Sequence, residues 1–218
     1  MELTNNFNIN ITEESLNKSN DIISKMESHT FHNHYHILYD LCTSLNKKDI
    51  TYVEIGAFAG GSASLISTHE NVSKIFSIDI GHPINKEITI KNVNRFKHDK
   101  CEYQYIQGDS TSNEIKEIVH NLIDKVDVLF IDGDHRYNAV IKDFENYRDL
   151  VSPNGFIVFD DYLDPIHSPD VFTAVNDIVR SVNTNEYEVI GSLTYDLIKK
   201  TNSPNQPSSN EFILRKLK

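Results

Sequence analysis

The sequence predicts an α/β fold: a mostly parallel sheet with helices on both faces, a C-terminal antiparallel hairpin and an N-terminal helical extension. Three observations carry this. From Asp49 on, short apolar runs alternate with helical stretches. The runs are almost continuously apolar, as strands buried on both faces must be. Each is bounded by Gly or Asp, which punctuate strand–loop–helix connections.

Taken in order, residues 12–28 read as a helix, because Leu16, Ile22, Ile23 and Met26 recur at roughly helical spacing. Thr12 followed by Glu13 and Glu14 suits its N-terminus. Residues 34–47 form a second helix, with Tyr35, Leu38, Leu41, Cys42 and Leu45 on one face. The strands that follow are 52–55, 74–79, 103–106, 126–131 and 156–159. Between and after them lie helices near 61–70, 85–97, 111–122, 136–150 and 169–182. Residues 187–190 and 212–214 are strand candidates with no helix between them, so they pair antiparallel, with 194–199 as a possible third short strand. The polar stretch 201–210, with two prolines, reads as an exposed loop.

A chain of 218 residues suits one large domain with a small extension. The division expected is an extension over 1–49, acting as a lid or oligomer contact, and a main domain over 50–218. There are 21 basic against 32 acidic side chains, a formal charge of −11. That balance argues against nucleic acid, whose phosphates are held by Lys and Arg. No apolar run approaches the roughly 20 residues of a membrane span, and MELTNNFNIN has neither the basic patch nor the apolar core of a secretory signal. Cys42 and Cys101, far apart and outside any C-x-x-C, read as reduced thiols. The expected setting is cytoplasmic, with no membrane partner and a homodimer or higher homo-oligomer as the assembly. Frequent Ile, Asn and Lys with no Trp reflect an AT-rich genome rather than function.

In open sheets ligands sit beyond the C-terminal strand ends, and four of the five such ends carry a carboxylate. The first runs into Glu54-Ile55-Gly56-Ala57-Phe58-Ala59-Gly60-Gly61-Ser62, small residues that let a ligand approach the helix start at Gly60, Gly61 and Ser62. Phe58 stands where G-x-G-x-x-G needs its second glycine, which disfavours a dinucleotide. Asp79 ends the second strand, placed to accept from ribose hydroxyls. Gly108-Asp109-Ser110 ends the third; Asp109 can accept from a purine amine, or Asp109 or Ser110 caps the next helix. No phosphate-binding G-x-x-x-x-G-K-[ST] occurs, so these ends describe a nucleoside pocket.

The fourth and fifth strands end Asp132-Gly133-Asp134-His135 and Asp160-Asp161-Tyr162. Neighbouring strands would bring Asp132, Asp160 and Asp161 together, and a hard divalent cation such as Mg²⁺ relieves their repulsion. The alternative is that these aspartates cap helices, the favoured reading for Asp134. His135 suits a general base near neutral pH, with His167 as second choice. Tyr137 either packs over the pocket or lies in the core. The cluster His29, His32, His34 and His36 lacks a clear zinc-ligand spacing and reads as a solvated or lid-forming segment.

These motifs resemble those of class I S-adenosylmethionine-dependent methyltransferases. Within that class they look most like the metal-dependent small-molecule O-methyltransferases, including macrolide-sugar O-methyltransferases and the cephalosporin-hydroxylase-like group. The resemblance covers about residues 50–165 and implies a Rossmann-like sheet. It implies that Glu54, Gly56, Ala57, Phe58, Gly60, Gly61, Ser62, Asp79, Gly108, Asp109, Ser110 and Asp132 hold S-adenosylmethionine. Asp132, Asp160 and Asp161 would hold Mg²⁺, and His135 would take the proton of an acceptor hydroxyl. The expected partner is a small molecule carrying that hydroxyl, a sugar or sugar conjugate first and a catechol second, since a vicinal diol can chelate the cation. Two other readings stand beside this one: an NAD-dependent oxidoreductase and a non-catalytic nucleoside-binding module of the same fold. The first is weakened by Phe58 and by the lack of a Tyr-x-x-x-Lys pair directly after the fourth strand.

Overall fold

The computed structural model describes residues 9–28, 35–82, 84, 86–192 and 211–218. The elements in chain order are α1 (Glu13–Lys25), α2 (Tyr35–Ser44), β1 (Ile50–Ile55), α3 (Gly61–Ile66), β2 (Val72–Asp79), α4 (Lys86–Phe96) and β3 (Glu102–Gln107). There follow α5 (Asn113–Leu122), β4 (Val126–Ile131), α6 (Tyr137–Tyr147), a 3₁₀ turn at Arg148–Leu150, β5 (Val151–Phe159), α7 (Pro169–Ser181), β6 (Tyr187–Ser192) and β7 (Phe212–Lys216). The sheet runs β3-β2-β1-β4-β5-β7-β6. Its first five strands are parallel, and β7 lies antiparallel between β5 and β6. Strand order therefore reverses between β1 and β4, the place where open α/β sheets gather a ligand.

Alternation along the strands divides the core in two. Val53, Ile55, Leu129, Ile131, Ile157 and Phe159 face one side, where Ile115, Val119, Phe144 and Val175 of α5, α6 and α7 cover them. Tyr52, Ile75, Val128, Phe130 and Val158 face the other, under residues of α1 to α4. Helix α2 is buried nearly all round rather than on one stripe, because it is sandwiched between the sheet and its neighbours. The N-terminal helices thus share a core with the sheet. Polar ties reinforce this. Asp40 on α2 accepts from Thr12 N at 2.9 Å and from Ser15 Oγ at 2.6 Å. Asn92 on α4 donates to the carbonyls of Glu27 and Ala59, each at 2.9 Å.

Several boundaries differ from expectation for local reasons. Helix α3 stops at Ile66. Strand β5 starts at Val151, ahead of the turn-like Ser152-Pro153-Asn154-Gly155. That stretch is a bulge: the register against β4 shifts between Val126 and Val128, and Asn154 takes φ +68°. Strand β3 lies at the sheet edge and alternates in exposure instead of being buried throughout. The expected strand at 194–199, the loop at 201–210 and His29, His32 and His34 lie outside the described residues. His36, expected in a solvated segment, is instead buried within α2, in the field of Asp40. Cys42 and Cys101 are free and buried. Among the described residues no helix is long and apolar enough to cross a membrane.

Candidate active site

Backbone hydrogen bonds carry the parallel ladder one residue past the strand ends. Gly56 N donates to Ile78 O at 2.8 Å, Asp132 N to Ile55 O at 2.8 Å, and Asp160 N to Ile131 O at 3.0 Å. Gly56, Asp132 and Asp160 are thereby set side by side. The fit is tight: a Cβ on Gly56 would stand 1.8 Å from the carbonyl oxygen of Asp132, and its φ is +87°. Glycine is required there.

A cleft of about 950 Å³ opens above these ends. Its walls include Gly56, Ala57, Phe58, Asp79, Gly108, Asp109, Ser110 and Asp132, together with Tyr35 from α2. Asp79 is fixed from both sides. Its Oδ2 accepts the amides of Ala57 and Phe58 at 2.8 and 2.9 Å, and its Oδ1 accepts Gly81 N at 2.6 Å and the Tyr105 hydroxyl at 3.2 Å. Phe58 takes φ +44° to present that amide. Asp109 caps no helix: Ser112 caps α5, and Asp109 Oδ1 accepts the amide and hydroxyl of Thr111 at 2.9 and 2.7 Å. Asp134 is likewise no cap but grips Arg136 through a short bidentate pair, which holds its carboxyl below the usual range.

Four residues expected to touch a cofactor, Glu54, Gly60, Gly61 and Ser62, are buried and are not among those that wall this cleft. Glu54 is fully buried. It accepts from the hydroxyls of Ser62, of Ser77 at 2.6 Å and of Tyr52 at 3.2 Å, tying β1 to β2 and α3. Burial pushes its carboxyl up to about 7 against those hydrogen bonds. Gly61 lets the Tyr35 ring lie on α3, since a Cβ there would come within 2.6 Å of it. Tyr35 carries no sequence signal of a site residue, because its spacing with Leu38, Leu41 and Leu45 is that of a helix core face.

At the edge of the cleft Asp132, His135 and Asp160 gather ligand atoms within 4.8 Å of one another. His135 Nε2 lies 3.2 Å from Asp132 Oδ1. Asp132 and Asp160 act on each other, and both carboxyls are pushed well above the usual range, by burial first and by neighbouring carboxylates after it. Glu211 at the start of β7 adds a further buried carboxyl that acts on Asp160. Two facing carboxyls that disfavour each other's charge are suited to a hard divalent cation, so the residues fit one. The third expected ligand, Asp161, lies close enough to act on Asp132 and Asp160, while its Oδ2 accepts from Ser168 Oγ at 2.7 Å and stands 3.3 Å from His135 Nδ1. His167 is exposed and paired with Asp164 at 3.0 Å, outside the cluster. Tyr137 bonds Asp177 on α7 at 3.0 Å and does not line the cleft.

Asp143 on α6 is buried close to Gly133, and burial pushes its carboxyl up to about 7. A carboxyl raised in the fold stabilises it below the unfolded value near 3.8; that contribution is lost as pH climbs through about 7. The protein should therefore melt lower at pH 8 than at pH 5. In thermal melts Asp143→Asn should flatten that slope and raise stability at pH 8 by about 1–3 kcal/mol, while changing little at pH 5. An unaltered slope would place the pH dependence elsewhere.

Comparison with known proteins agrees with this architecture. Residues 53–162 match the methyltransferase domain family. An uncharacterised protein of Acanthamoeba polyphaga mimivirus is 39% identical over 208 residues, covering 91% of this chain and 93% of its own length. An O-methyltransferase from Bacillus cereus, solved with S-adenosylhomocysteine, superposes with a TM-score of 0.61 at 15% identity, over 95% of this chain and 92% of that one. MycE, a methyltransferase of mycinamycin biosynthesis solved with Mg, S-adenosylhomocysteine and mycinamycin VI, gives 0.61 at 16% identity, over 94% of this chain and 54% of that one. Structural neighbours also include rRNA methylases.

Proposed function

The chain belongs to the methyltransferase domain family, and from that premise we propose that it transfers a methyl group from S-adenosylmethionine to a hydroxyl of a small molecule. The proposed acceptor is a sugar or sugar-bearing compound, with a divalent cation such as Mg²⁺ at the acceptor side. The observation that carries the proposal is the double placement of Asp132. It lines the donor cleft and also belongs to the cluster with His135 and Asp160.

S-adenosylmethionine, when bound, supplies a methyl on a positively charged sulfur. Mg²⁺, when bound, supplies Lewis acidity toward an oxygen. The chain supplies the rest. The Gly56 turn gives a close backbone approach, Asp79 would receive a ribose hydroxyl in exchange for the Tyr105 hydroxyl, its longest contact, and Asp109 presents an acceptor for an adenine amine. Acidic walls favour the donor's positive charge. Asp132 and Asp160 would hold the cation. His135 takes the acceptor proton, and the cluster's position at the cleft edge orients that hydroxyl for attack along the line of the breaking bond.

Calorimetry with S-adenosylhomocysteine and NAD tests the cofactor, and methyl transfer to vicinal-diol sugars and catechols with and without EDTA tests the chemistry. The proposal expects S-adenosylhomocysteine binding, no NAD binding and EDTA-sensitive transfer. NAD binding alone, or transfer indifferent to EDTA, would contradict it. An rRNA acceptor is the second reading, favoured by the rRNA methylases among the structural neighbours. The formal charge of −11 weighs against it, because a phosphate backbone needs cations.

A further inference from the structure

We propose that Ser168 is a positioning residue whose hydroxyl links Asp161 to Nδ1 of His135 and so keeps Nε2 as the ring's proton acceptor. Ser168 Oγ lies 2.7 Å from His135 Nδ1 and 2.7 Å from Asp161 Oδ2. A hydroxyl has one proton and lone pairs to accept with. Against a carboxylate oxygen it donates, so toward Nδ1 it accepts. Nδ1 must then carry the hydrogen, and in the neutral ring Nε2 keeps its lone pair; its 3.2 Å contact with Asp132 Oδ1 is then a hydrogen bond donated by the protonated carboxyl, the form that burial favours. This direction is what a general base at the cleft edge requires.

Two features show that the arrangement is built rather than incidental. Ser168 is the N-cap of α7, the position where a serine side chain ordinarily accepts an amide of the first turn. Here it makes no such bond. The hydroxyl, in a residue only 1% exposed, is spent on the His135–Asp161 pair instead. Asp161 in turn takes φ +56°, a left-handed conformation that a non-glycine residue holds only at a cost. The result is a line from Asp161 through Ser168 to His135, joining the loop after β5 to the loop after β4.

The inference rests on the base role given to His135, but its test needs neither acceptor nor methyl transfer. The full chain is labelled with ¹⁵N-histidine, free of metal, at a pH where the ring is neutral, and its imidazole nitrogens are read by two-bond ¹⁵N–¹H correlation. Loss of one signal set in His135→Gln assigns the residue. The wild type should show hydrogen on Nδ1. Ser168→Ala should shift His135 toward the form with hydrogen on Nε2, and Ser168→Thr should restore the wild-type pattern. A helix cap alone would leave the tautomer unmoved in all three. Should Ser168→Ala fail to fold, Ser168→Cys, a much weaker partner for an imidazole hydrogen, takes its place with the same expected shift. A wild type with hydrogen on Nε2, or an unchanged tautomer on removal of the hydroxyl, overturns the proposal. Absence of S-adenosylhomocysteine binding by the wild type would overturn the functional reading instead, so the two failures are distinguishable.

Discussion

Replacing His135 by Ala should lower kcat by about 10²–10⁴-fold, the usual contribution of a positioned acid or base, with little change in S-adenosylhomocysteine affinity. The reason is location. His135 does not line the donor cleft, so its loss removes no donor contact. It meets Asp132 through Nε2 at 3.2 Å, and through Nδ1 it meets Ser168 at 2.7 Å and Asp161 at 3.3 Å. That places its ring where an acceptor hydroxyl would meet the carboxylate cluster. A fall in kcat without a matching rise in KM is the signature of an interaction made in the transition state. Steady-state kinetics on His135→Ala beside wild type checks it. An unchanged kcat would move the base to a water molecule, since His167 is exposed and tied to Asp164.

Asp160→Asn should have the second large effect. Removing one of two facing carboxyls halves the charge offered to a cation, and loss of a Lewis acid worth several kcal/mol corresponds to about 10²–10³-fold in kcat. Donor binding should persist, because Asp160 is buried outside the cleft lining. The metal-free protein should respond in the opposite sense. Asp160 sits at 1% exposure with Asp132, Asp161 and Glu211 around it, and burial with those charges drives its carboxyl toward the neutral form. Asn there removes an ionisable carboxyl whose charged form these surroundings disfavour. In the absence of metal, Asp160→Asn should therefore melt no lower than wild type at pH 8. Full activity of this variant in EDTA would remove the metal from the account.

The sheet was legible because each parallel strand announces itself twice, by an apolar run and by the Gly or Asp that ends it. The adjacency of β4 and β5 followed, and with it the meeting of Asp132 and Asp160. What sequence could not supply was direction. Asp160 and Asp161 are consecutive, and only the left-handed turn at Asp161 sends one carboxylate to Asp132 and the other to Ser168. Ser168 before Pro169 reads as an ordinary helix start, and nothing in the pattern reveals that its hydroxyl leaves the helix. Glu211 arrives from the far end of the chain through the pairing of β7 with β5, a contact with no local signal. Glu54, given a cofactor role by the resemblance alone, is pointed by strand alternation toward α3, where three hydroxyls enclose it.

The most direct measurement is a crystal of the protein grown with S-adenosylhomocysteine and Mn²⁺, with anomalous scattering locating the ion. The account predicts the nucleoside in the cleft between Gly56, Asp79 and Asp109. It predicts one anomalous peak within about 2.0–2.3 Å of carboxylate oxygens from both Asp132 and Asp160. A nucleoside bound there with no ion at that pair, each aspartate keeping its metal-free partners, would contradict it.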